Sequence, residues 1–374
     1  MGNDGVVIVG GGLAGLASGI HLARAGVPVT IIEKSRFPKH KVCGEYISNE
    51  VLPYLKWLDA DVSVLNPVTI NRFEFSTISG KSVGAHLPLG GFGISRYALD
   101  NFLYEKALEN GCIIKHDTVT DVSFDGDTFS VRSSGAVLKA SIVLGAYGKR
   151  SNLDQMMSRT FFSKKSPWLA VKGHYKGHFP GNLVALHNFP GGYCGISCVE
   201  DNLINICYLA DYETFRQHKN IEEYQAAVLC VNPHLKKIFS SITPVFEQPL
   251  AISQVSFESK ATVENHILMI GDTAGLIHPL CGNGMAMAIN SAAICSELVL
   301  DYLAGRMSRA QMEERYRKSW KSRFSRRMQA GRILAGALRK PRVTKALMHA
   351  VTLFPALLTA MIKQTQGKPL AIPH

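Results

Sequence analysis

The strongest constraint on the fold lies at the start of the chain, where an apolar run over residues 6–9 leads into Gly10-x-Gly12-x-x-Gly15. Apolar residues then recur at helical spacing, and a second apolar run ends on Glu33. A glycine triplet alone is only a turn, and a glycine-rich turn in an ordinary βαβ unit is the alternative. Strand, glycine turn, helix, strand and terminal acid in this order instead predict a βαβ unit that binds a dinucleotide.

Each position of this motif has a physical role. Gly10 permits the tight turn, Gly12 lets the backbone approach a pyrophosphate, and Gly15 lets the helix and the strand pack closely. The phosphates would lie at the N-terminus of the helix, where the macrodipole favours anions. Glu33, which is 18 residues beyond Gly15, is placed to accept hydrogen bonds from an adenosine ribose.

A second segment repeats this chemistry near the end of the globular region. The apolar strand 266–270 opens into Gly271-Asp272, and a glycine-rich loop through Gly282-Asn283-Gly284 leads into a long apolar helix from Met285. Asp272 at the strand end can accept hydrogen bonds from a polyol. The helix N-terminus behind Gly284 can stabilise a ring that becomes negative on reduction.

Two further segments complete the nucleotide-binding pattern. Residues 95–111 predict a helix with Ser95 as its N-cap and Arg96 in its first turn. A cation there opposes the helix dipole, so Arg96 indicates an anionic partner, with an ordinary exposed arginine as the alternative. A buried strand over 140–144 ends at Gly145-Ala146-Tyr147-Gly148.

The middle of the chain lacks βαβ rhythm and alternates in the manner of antiparallel strands. The sequence therefore predicts an α/β fold: a Rossmann-like nucleotide domain interleaved with an antiparallel β-sheet substrate domain, followed by C-terminal helices. The predicted ranges are 1–70, 94–155 and 258–304 for the first domain, 71–93 and 156–257 for the second, and 305–374 for the helices. Several aromatic residues of the middle block are candidates for either the core or a substrate cavity: Phe161, Phe162, Trp168, Tyr175, Phe189 and Tyr193.

Composition fits this assignment. In 374 residues, 46% are hydrophobic and 19% charged, which is typical of a globular protein and argues against long disorder. The eight cysteines are scattered, and no metal site is predicted from them. The N-terminus carries neither a signal-peptide pattern nor the residues for myristoylation, so a cytoplasmic location is expected.

The net charge of +12 is concentrated in one segment. Residues 306–345 contain 14 Lys and Arg but only two Glu, so the rest of the chain is formally neutral. A long basic helix and an apolar stretch interrupted by Pro355 are predicted there. They indicate contact with an anionic membrane surface, cover for a lipid cavity, or an acidic carrier protein; simple packing on the domain is the alternative. Nucleic acid is not expected, because no recognised binding module accompanies the charge.

Over residues 5–300 the chain resembles the FAD-dependent oxidoreductases of the para-hydroxybenzoate-hydroxylase fold, a group that includes aromatic-ring monooxygenases, geranylgeranyl reductases and flavin-dependent halogenases. The resemblance rests on the glycine motif with Glu33, on Arg96, on the 145–151 segment and on 271–284. It implies that Glu33 binds the adenosine ribose of FAD and Asp272 the ribityl chain. Arg96 would reach the phosphates or the ribityl chain. The loop before the long apolar helix from Met285 would lie beside the flavin ring.

The residues predicted to contact FAD come from every one of these segments. They are Gly10, Gly12, Leu13, Ala14, Gly15, Glu33, Lys34, Lys41, Cys43, Gly44, Arg96, Val119, Gly145, Ala146, Gly271, Asp272, Pro279, Gly282, Asn283, Gly284 and Met285. His278 and Cys43 are the candidate catalytic residues near the flavin ring.

Departures from the family pattern bear on the reaction. Tyr147 replaces the aspartate of the usual Gly-Ala-Asp-Gly motif, and the Trp-x-Trp-x-Ile-Pro signature of halogenases does not occur, so halogenation is not expected. Lys41-x-Cys43-Gly44 is similar to geranylgeranyl reductases, in which the cysteine faces the flavin. Their Tyr-x-Trp-x-Phe-Pro motif is replaced here by Tyr193-Cys194-Gly195-Ile196-Ser197, so the substrate wall differs.

The leading hypothesis is an FAD-dependent monooxygenase that uses NAD(P)H and O₂ on a hydrophobic or aromatic, polyketide- or lipid-like substrate. The chain has one glycine motif of this kind, so NAD(P)H is expected to bind only transiently. A geranylgeranyl-reductase-like enzyme that saturates C=C bonds is the second hypothesis. The third is a non-catalytic flavin-binding electron carrier. The expected location is cytoplasmic, and peripheral attachment to the inner face of a membrane is an open alternative.

Overall fold

The computed structural model describes residues 5–338 and 340–372 as a mixed α/β fold with three sheets. The strands are β1 Val6–Val9, β2 Val29–Ile32, β3 Tyr46–Ser48, β4 Val68–Ser76, β5 Ser82–Gly93, β6 Ile113–Lys115, β7 Val119–Phe124, β8 Phe129–Ser133, β9 Val137–Ala140, β10 Ile142–Gly145, β11 Trp168–Lys176, β12 Leu183–Phe189, β13 Gly192–Cys198, β14 Ile204–Asp211, β15 Thr243–Pro244, β16 Leu250–Ile252, β17 Val263–Glu264 and β18 Ile267–Met269. The helices are α1 Leu13–Arg24, α2 Leu52–Trp57, α3 Arg96–Glu109, α4 Asn152–Met156, α5 Tyr212–Phe215, α6 Ile221–Ala227, α7 Pro233–Phe239, α8 Gly284–Leu303, α9 Arg309–Leu338, α10 Pro341–Leu353 and α11 Pro355–Thr365.

The first sheet has the strand order β17-β18-β10-β1-β2-β6 and is parallel except for β17. All four residues of β1 are buried, as expected of a strand covered on both faces. Val6 and Ile8 belong to the core formed with α1 and α8, whereas Val7 and Val9 pack against Phe129 and the rest of the three-stranded sheet β7-β8-β9. The period of two along β1 therefore divides its side chains between two cores.

The glycine turn after β1 is as tight as the sequence predicts. Gly10 has φ +110°, and a Cβ at this position would overlap the carbonyl of Ala146 on the neighbouring strand end. A Cβ on Gly15 would overlap the carbonyl of Gly10. Helix α1 can therefore start directly against the sheet, which leaves its N-terminus at the carboxyl end of β1.

The second sheet has nine strands, ordered β15-β11-β14-β13-β12-β4-β5-β3, with β16 paired to β11. It is antiparallel apart from the parallel pair β4–β12. One face is covered by α6 and α7, and its core includes the predicted aromatic residues Tyr175 and Phe189. The opposite face, with Trp168 and Tyr193, packs toward the segment 276–280. This second face is the one that the nucleotide domain approaches.

The C-terminal helices pack on the domain. Of the apolar residues of α9 at steps of four, Met312, Tyr316 and Phe324 are fully buried. The Tyr316 hydroxyl donates a 2.6 Å hydrogen bond to the carbonyl of Met269 on β18. The packing alternative therefore holds for this stripe of α9.

The last residues return to the start of the chain. Arg327 on α9 forms a buried ion pair of 3.1 Å with Glu50, and the backbone N–H of Leu370 donates to the Glu50 carbonyl at 2.9 Å. Helices α10 and α11 lie over β5 between these contacts. The C-terminal segment thus covers the edge where the two sheets meet.

One helix, α8, is long and apolar enough to span a membrane by length and composition. It is 61% buried over its most apolar window and packs along α1 in the main core. The pair α10 and α11 passes the same test only if both helices are counted as one span bent by 114°.

The predicted fold class is confirmed, with a nucleotide-type parallel sheet, an antiparallel sheet and C-terminal helices. Element ends differ in detail. The predicted helix from Arg306 begins at Arg309, and the helical region 212–239 is divided into three short helices. Strand β3 lies inside the range predicted for the nucleotide domain, yet it pairs with β5 in the nine-stranded sheet. Arg339, in the predicted break after α9, lies outside the described residues.

Candidate active site

The site begins where α1 starts. Its N-cap, Gly12, provides no side chain, and no acidic residue lies in the first turn, so the helix N–H groups and the positive dipole end are available to an anion. The Glu33 carboxylate accepts hydrogen bonds from the backbone of Gly11 at 2.8 Å and Ser35 at 3.0 Å. Each oxygen keeps further acceptor capacity, as a partner for ribose hydroxyls must.

Two cations lie beside this helix start and share one carboxylate. Arg96 makes a bidentate contact with Asp100 at 2.6 and 2.8 Å, and Lys41 Nζ lies 2.7 Å from the same group. Burial alone would raise the pKa of Asp100, but the two cations hold it below its usual value. The cluster carries one net positive charge. Cys43 lies beside Arg96, so the predicted contacts Lys41, Cys43 and Arg96 are brought together.

A second open helix end lies alongside the first. The N-cap of α8, Asn283, makes no side-chain cap, and the first turn of α8 contains no acid. Asp272 follows Gly271, whose N–H donates to Ser291 Oγ on α8 at 2.8 Å. The Asn283 side-chain amide donates to the carbonyl of Thr365 in the C-terminal segment. Among the described residues, no donor reaches the buried Asn283 Oδ1.

Space in front of both helix ends is open. A Cβ on Gly12 would meet only Lys41 Nζ, at 4.0 Å, and a Cβ on Gly284 only Ile277, at 3.9 Å. Two neighbouring helix N-termini without acids, a cationic cluster and two acids at strand ends form a groove for a long ligand with central phosphates and sugar hydroxyls at both ends. These residues fit FAD.

Residues 4–329 match the family model described as "FAD binding domain". The chain belongs to this family. It is therefore an FAD-dependent oxidoreductase-type flavoprotein, and the resemblance seen in its motifs is confirmed.

Known relatives in the family carry out different reactions. The chain is 22% identical over 353 residues to tryptophan 2-halogenase of Chondromyces crocatus, which covers 86% of this chain and 66% of the halogenase. It is 23% identical over 342 residues to digeranylgeranylglycerophospholipid reductase 1 of Methanococcoides burtonii, covering 85% and 80%. Halogenase PltM, solved in complex with phloroglucinol and FAD, has a TM-score of 0.78 at 18% identity, covering 96% of this chain and 82% of PltM. At this identity the structural likeness shows the fold alone.

An aromatic cage lies between the nine-stranded sheet and the loop before α8. The His278 ring is surrounded by Phe257, Tyr193 and Trp168, with centroid distances of 4.6, 5.8 and 6.4 Å. Burial lowers the pKa of His278 to about 4, so the ring is neutral at physiological pH. Its Nδ1 accepts a hydrogen bond from the Leu280 N–H, which places the proton on Nε2.

A buried charged cluster lies further along the same face of the sheet. Lys172 and His174 lie two residues apart on β11 and therefore share a face of the sheet. Both contact the carboxylate of Glu45, His174 through Nε2 at 2.6 Å. The N–H of Arg96, at the start of α3, donates to the same carboxylate at 2.7 Å. Burial alone would raise the pKa of Glu45, but the hydrogen bond from His174 and the charge of Lys172 hold it below its usual value. Glu45 is a carboxylate with no exposed surface.

His40 connects this cluster to the surface. Its ring lies edge-on to His174 with a centroid distance of 5.4 Å, and stacks on the exposed Tyr97 at 4.6 Å. Burial, followed by the charge of Lys172, lowers the pKa of His40. Glu45, His174 and His40 thus form a line of proton-carrying groups from the buried end of the site toward solvent.

Some predicted residues point elsewhere. The Met285 side chain is buried in the main core, so only its backbone faces the groove, and Val119 packs at the edge of the core around β7. Lys34 and Pro279 are exposed. Phe162 stacks on Arg150, with the guanidinium 3.8 Å from the ring centroid, and is not part of the cage.

The sequence analysis did not select Glu45, Lys172 or His174. A signal was present: two basic residues at a spacing of two within a mostly apolar strand, which places both on one face of the sheet. Their partner could not be identified in the same way, because Glu45 lies 127 positions before Lys172.

Replacing Glu33 or Asp272 by Ala is expected to weaken FAD binding, because sugar hydroxyls would lose their acceptors at a cost of about 1–3 kcal/mol each. Retained flavin absorbance after gel filtration measures the effect. Asp127→Ala, which removes an exposed carboxylate in a surface turn, is the matched control. Variants at Glu33 and Asp272 that stay as yellow as the control would contradict these roles.

His278→Gln is expected to remove a pH-dependent contribution to stability. The folded-state pKa of about 4 lies below the ordinary 6.5, so the unfolded chain takes up the proton first as pH falls. The contribution is complete above pH 6.5 and is lost as pH falls toward 4, with a full size of about 3 kcal/mol. Midpoints of thermal unfolding for wild type and variant should converge on acidification. A difference that is constant with pH, as expected for the exposed control His178→Gln, would show that His278 is not held neutral.

Proposed function

We propose that this flavoprotein is a monooxygenase that oxidises a hydrophobic, phenol-like substrate with NAD(P)H and O₂. The observation that carries the proposal is the pairing of an aromatic, apolar cage around His278 with the buried Glu45–Lys172–His174 cluster on the same face of the sheet. The cage with His278 at its centre gives an apolar wall for an aromatic ring to lie against, and the cluster suits an ionisable hydroxyl. When bound, FAD would supply the redox chemistry by passing electrons from NAD(P)H to O₂.

The chain's own groups have defined tasks in this proposal. Trp168, Tyr193 and Phe257 would hold the His278 ring in place and keep water away from the substrate beside it. A phenol hydroxyl at the cluster would give its proton to the Glu45–His174 pair, and the Lys172 ammonium would stabilise the resulting phenolate. His40 would pass the proton on to solvent. Loss of that proton makes the ring more electron-rich and so more readily oxidised.

Reduction of a C=C bond is the second candidate, and one observation favours it. The Cys43 thiol of Lys41-x-Cys43-Gly44 lies beside Arg96 and next to the Glu45 cluster, where a proton donor for a reduced alkene would be needed. The similarity to digeranylgeranylglycerophospholipid reductase supports the same chemistry. In this case the Glu45 cluster would deliver a proton instead of accepting one.

Oxygen dependence separates the two reactions. The purified FAD-loaded protein is supplied with NADPH or NADH and with phloroglucinol or a long-chain alkylresorcinol, and oxygen uptake is recorded. Substrate-dependent uptake with a product that gains one oxygen atom is the expected result. A saturated product from an isoprenoid lipid under anaerobic conditions would overturn the monooxygenase proposal, and a halogenated product that requires added bromide would overturn both.

His174→Gln is expected to lower kcat/KM for the phenol by about 10²–10⁴, because the proton relay is broken while FAD contacts are kept. The pH–rate profile should no longer show the titration of the group that accepts the proton, and FAD absorbance should be unchanged. His178→Gln, at the exposed end of the same strand region, is the matched control. Equal activity and equal pH profiles for the two variants would rule out the relay.

We further propose that the C-terminal end contacts an anionic membrane that holds the substrate. The membrane proposal rests on exposed apolar side chains that lie close in sequence to exposed cations. The apolar residues are Ile333, Val343, Leu353, Phe354 and Leu357, and the cations are Arg332, Lys340 and Arg342. Apolar groups that enter the acyl boundary and cations that pair with lipid phosphates reinforce each other.

Leu353→Ser with Phe354→Ser is expected to reduce co-sedimentation with phosphatidylglycerol vesicles, and Arg332→Gln with Arg342→Gln should make the residual binding less sensitive to salt. Val64→Ser, which changes an equally exposed apolar residue elsewhere, should bind like wild type. Binding that is the same to neutral phosphatidylcholine vesicles, or unaffected by these changes, would contradict the membrane proposal. Salt-sensitive capture of an acidic carrier protein in place of vesicles would favour that other partner.

A further inference from the structure

A cluster of two imidazoles and a carboxylate lies on the outer face of the nine-stranded sheet, away from the flavin groove. Glu74 on β4, His187 on β12 and His234 on α7 each place one possible ligand atom within 4.8 Å of the others. Strands β4 and β12 are parallel neighbours, with Glu74 opposite Ala185, so Glu74 and His187 share a face. Helix α7 brings His234 over that face.

The proton positions of His234 follow from its partners. Its Nε2 lies 2.9 Å from the carbonyl of Gly80, which can only accept, so Nε2 carries the hydrogen. A neutral ring then presents the Nδ1 lone pair toward Glu74 Oε1, 3.8 Å away. Two acceptors therefore face each other at a distance too long for a hydrogen bond and suitable for a shared cation.

His187 is arranged in the same way. Its Nδ1 is 2.8 Å from Ser76 Oγ, which leaves Nε2 as its free ring nitrogen. The rings of His187 and His234 stack with centroids 5.1 Å apart and an interplanar angle of 13°.

A fully buried asparagine fixes this geometry. The Asn232 side-chain amide donates to Ser76 Oγ at 2.9 Å. Its amide oxygen accepts the backbone N–H of His234 at 2.9 Å, so that Asn232 is the N-cap of α7. Both imidazoles are thus oriented by hydrogen bonds at the nitrogen that does not face the cluster. That is the outer-shell arrangement found around histidines that bind metals.

We propose that Glu74, His187 and His234 form a zinc-binding site with a fourth position open to solvent. Two imidazole nitrogens and one carboxylate oxygen are a ligand set that Zn²⁺ accepts in tetrahedral geometry. Glu74 and His234 are partly exposed, which gives the ion a route in. The ion would tie α7 and β12 to β4, which lies more than 100 residues before both of them in the chain.

This site is independent of the proposed oxidation chemistry. The sequence prediction of no metal site rested on the scattered cysteines, and three ligands at positions 74, 187 and 234 leave no spacing pattern to recognise. Binding to the folded state alone would raise stability by mass action, by RT ln(1 + [Zn²⁺]/Kd).

The test uses the full chain loaded with FAD and stripped of metal by a chelator. Titration with ZnCl₂ by calorimetry, and with CoCl₂ by visible absorption, should show one site, d–d bands typical of four-coordinate cobalt and a higher unfolding temperature. Glu74→Gln and His234→Ala should weaken binding at least tenfold, and Ser76→Ala by about 10–100-fold through the outer shell. His218→Ala is the matched control, because His218 also lies near a carboxylate, that of Glu223 at 3.9 Å, but does not belong to the three-ligand group.

The outcomes are distinct. Tight zinc binding that survives in His218→Ala and is lost in Glu74→Gln and His234→Ala supports the site. Circular dichroism and retained FAD absorbance must match wild type in each variant, so that loss of binding is not loss of the fold. Wild-type protein that binds no zinc at micromolar concentrations, or binds it equally in all variants, overturns the proposal.

Discussion

A buried carboxylate connects the two halves of the molecule. Glu45 follows the nucleotide-domain loop, receives an N–H from the start of α3, and contacts Lys172 and His174 on the substrate sheet. A charge with no exposed surface is tolerated only where partners replace its hydration, so each of these groups must be in place for the others to be stable. The relative position of sheet and loop, and with it the space between flavin and substrate, depends on this contact.

A second buried ion pair performs the same task at the C-terminus. Arg327 on α9 meets Glu50, only five residues after Glu45 in the chain, and the backbone of Leu370 binds the same residue. Burial raises the pKa of Glu50, and Arg327 opposes that effect. The basic C-terminal segment thus has two parts with different roles. One face of α9 completes the core beside the loop before α8, and the remaining cations stay at the surface.

Local patterns in the sequence were sufficient for the nucleotide half. The glycine turn, Glu33 and Asp272 lie on segments whose roles follow from spacing alone, because strand ends and helix starts bring them to one edge of a parallel sheet. The cage and the Glu45 cluster could not be predicted in that way. Their members come from β11, β13 and three loops, and antiparallel register over long separations is decided by packing, which a single sequence does not display. The aromatic candidates illustrate the limit: Trp168 and Tyr193 face the cage, whereas Tyr175 and Phe189 face the opposite core.

The same argument explains why one fold supports several flavin reactions. The groove beside α1 and α8 satisfies phosphates and sugars, whose chemistry does not change with the substrate. On the face of the sheet toward this groove, the chain has a neutral histidine in an aromatic cage and a carboxylate held by a lysine and a histidine. A neutral cage favours an apolar ring, and a paired ion beside it can exchange protons without adding net charge. Under the proposed function, the direction of proton movement through Glu45 and His174 is what would separate oxidation of a phenol from reduction of an alkene.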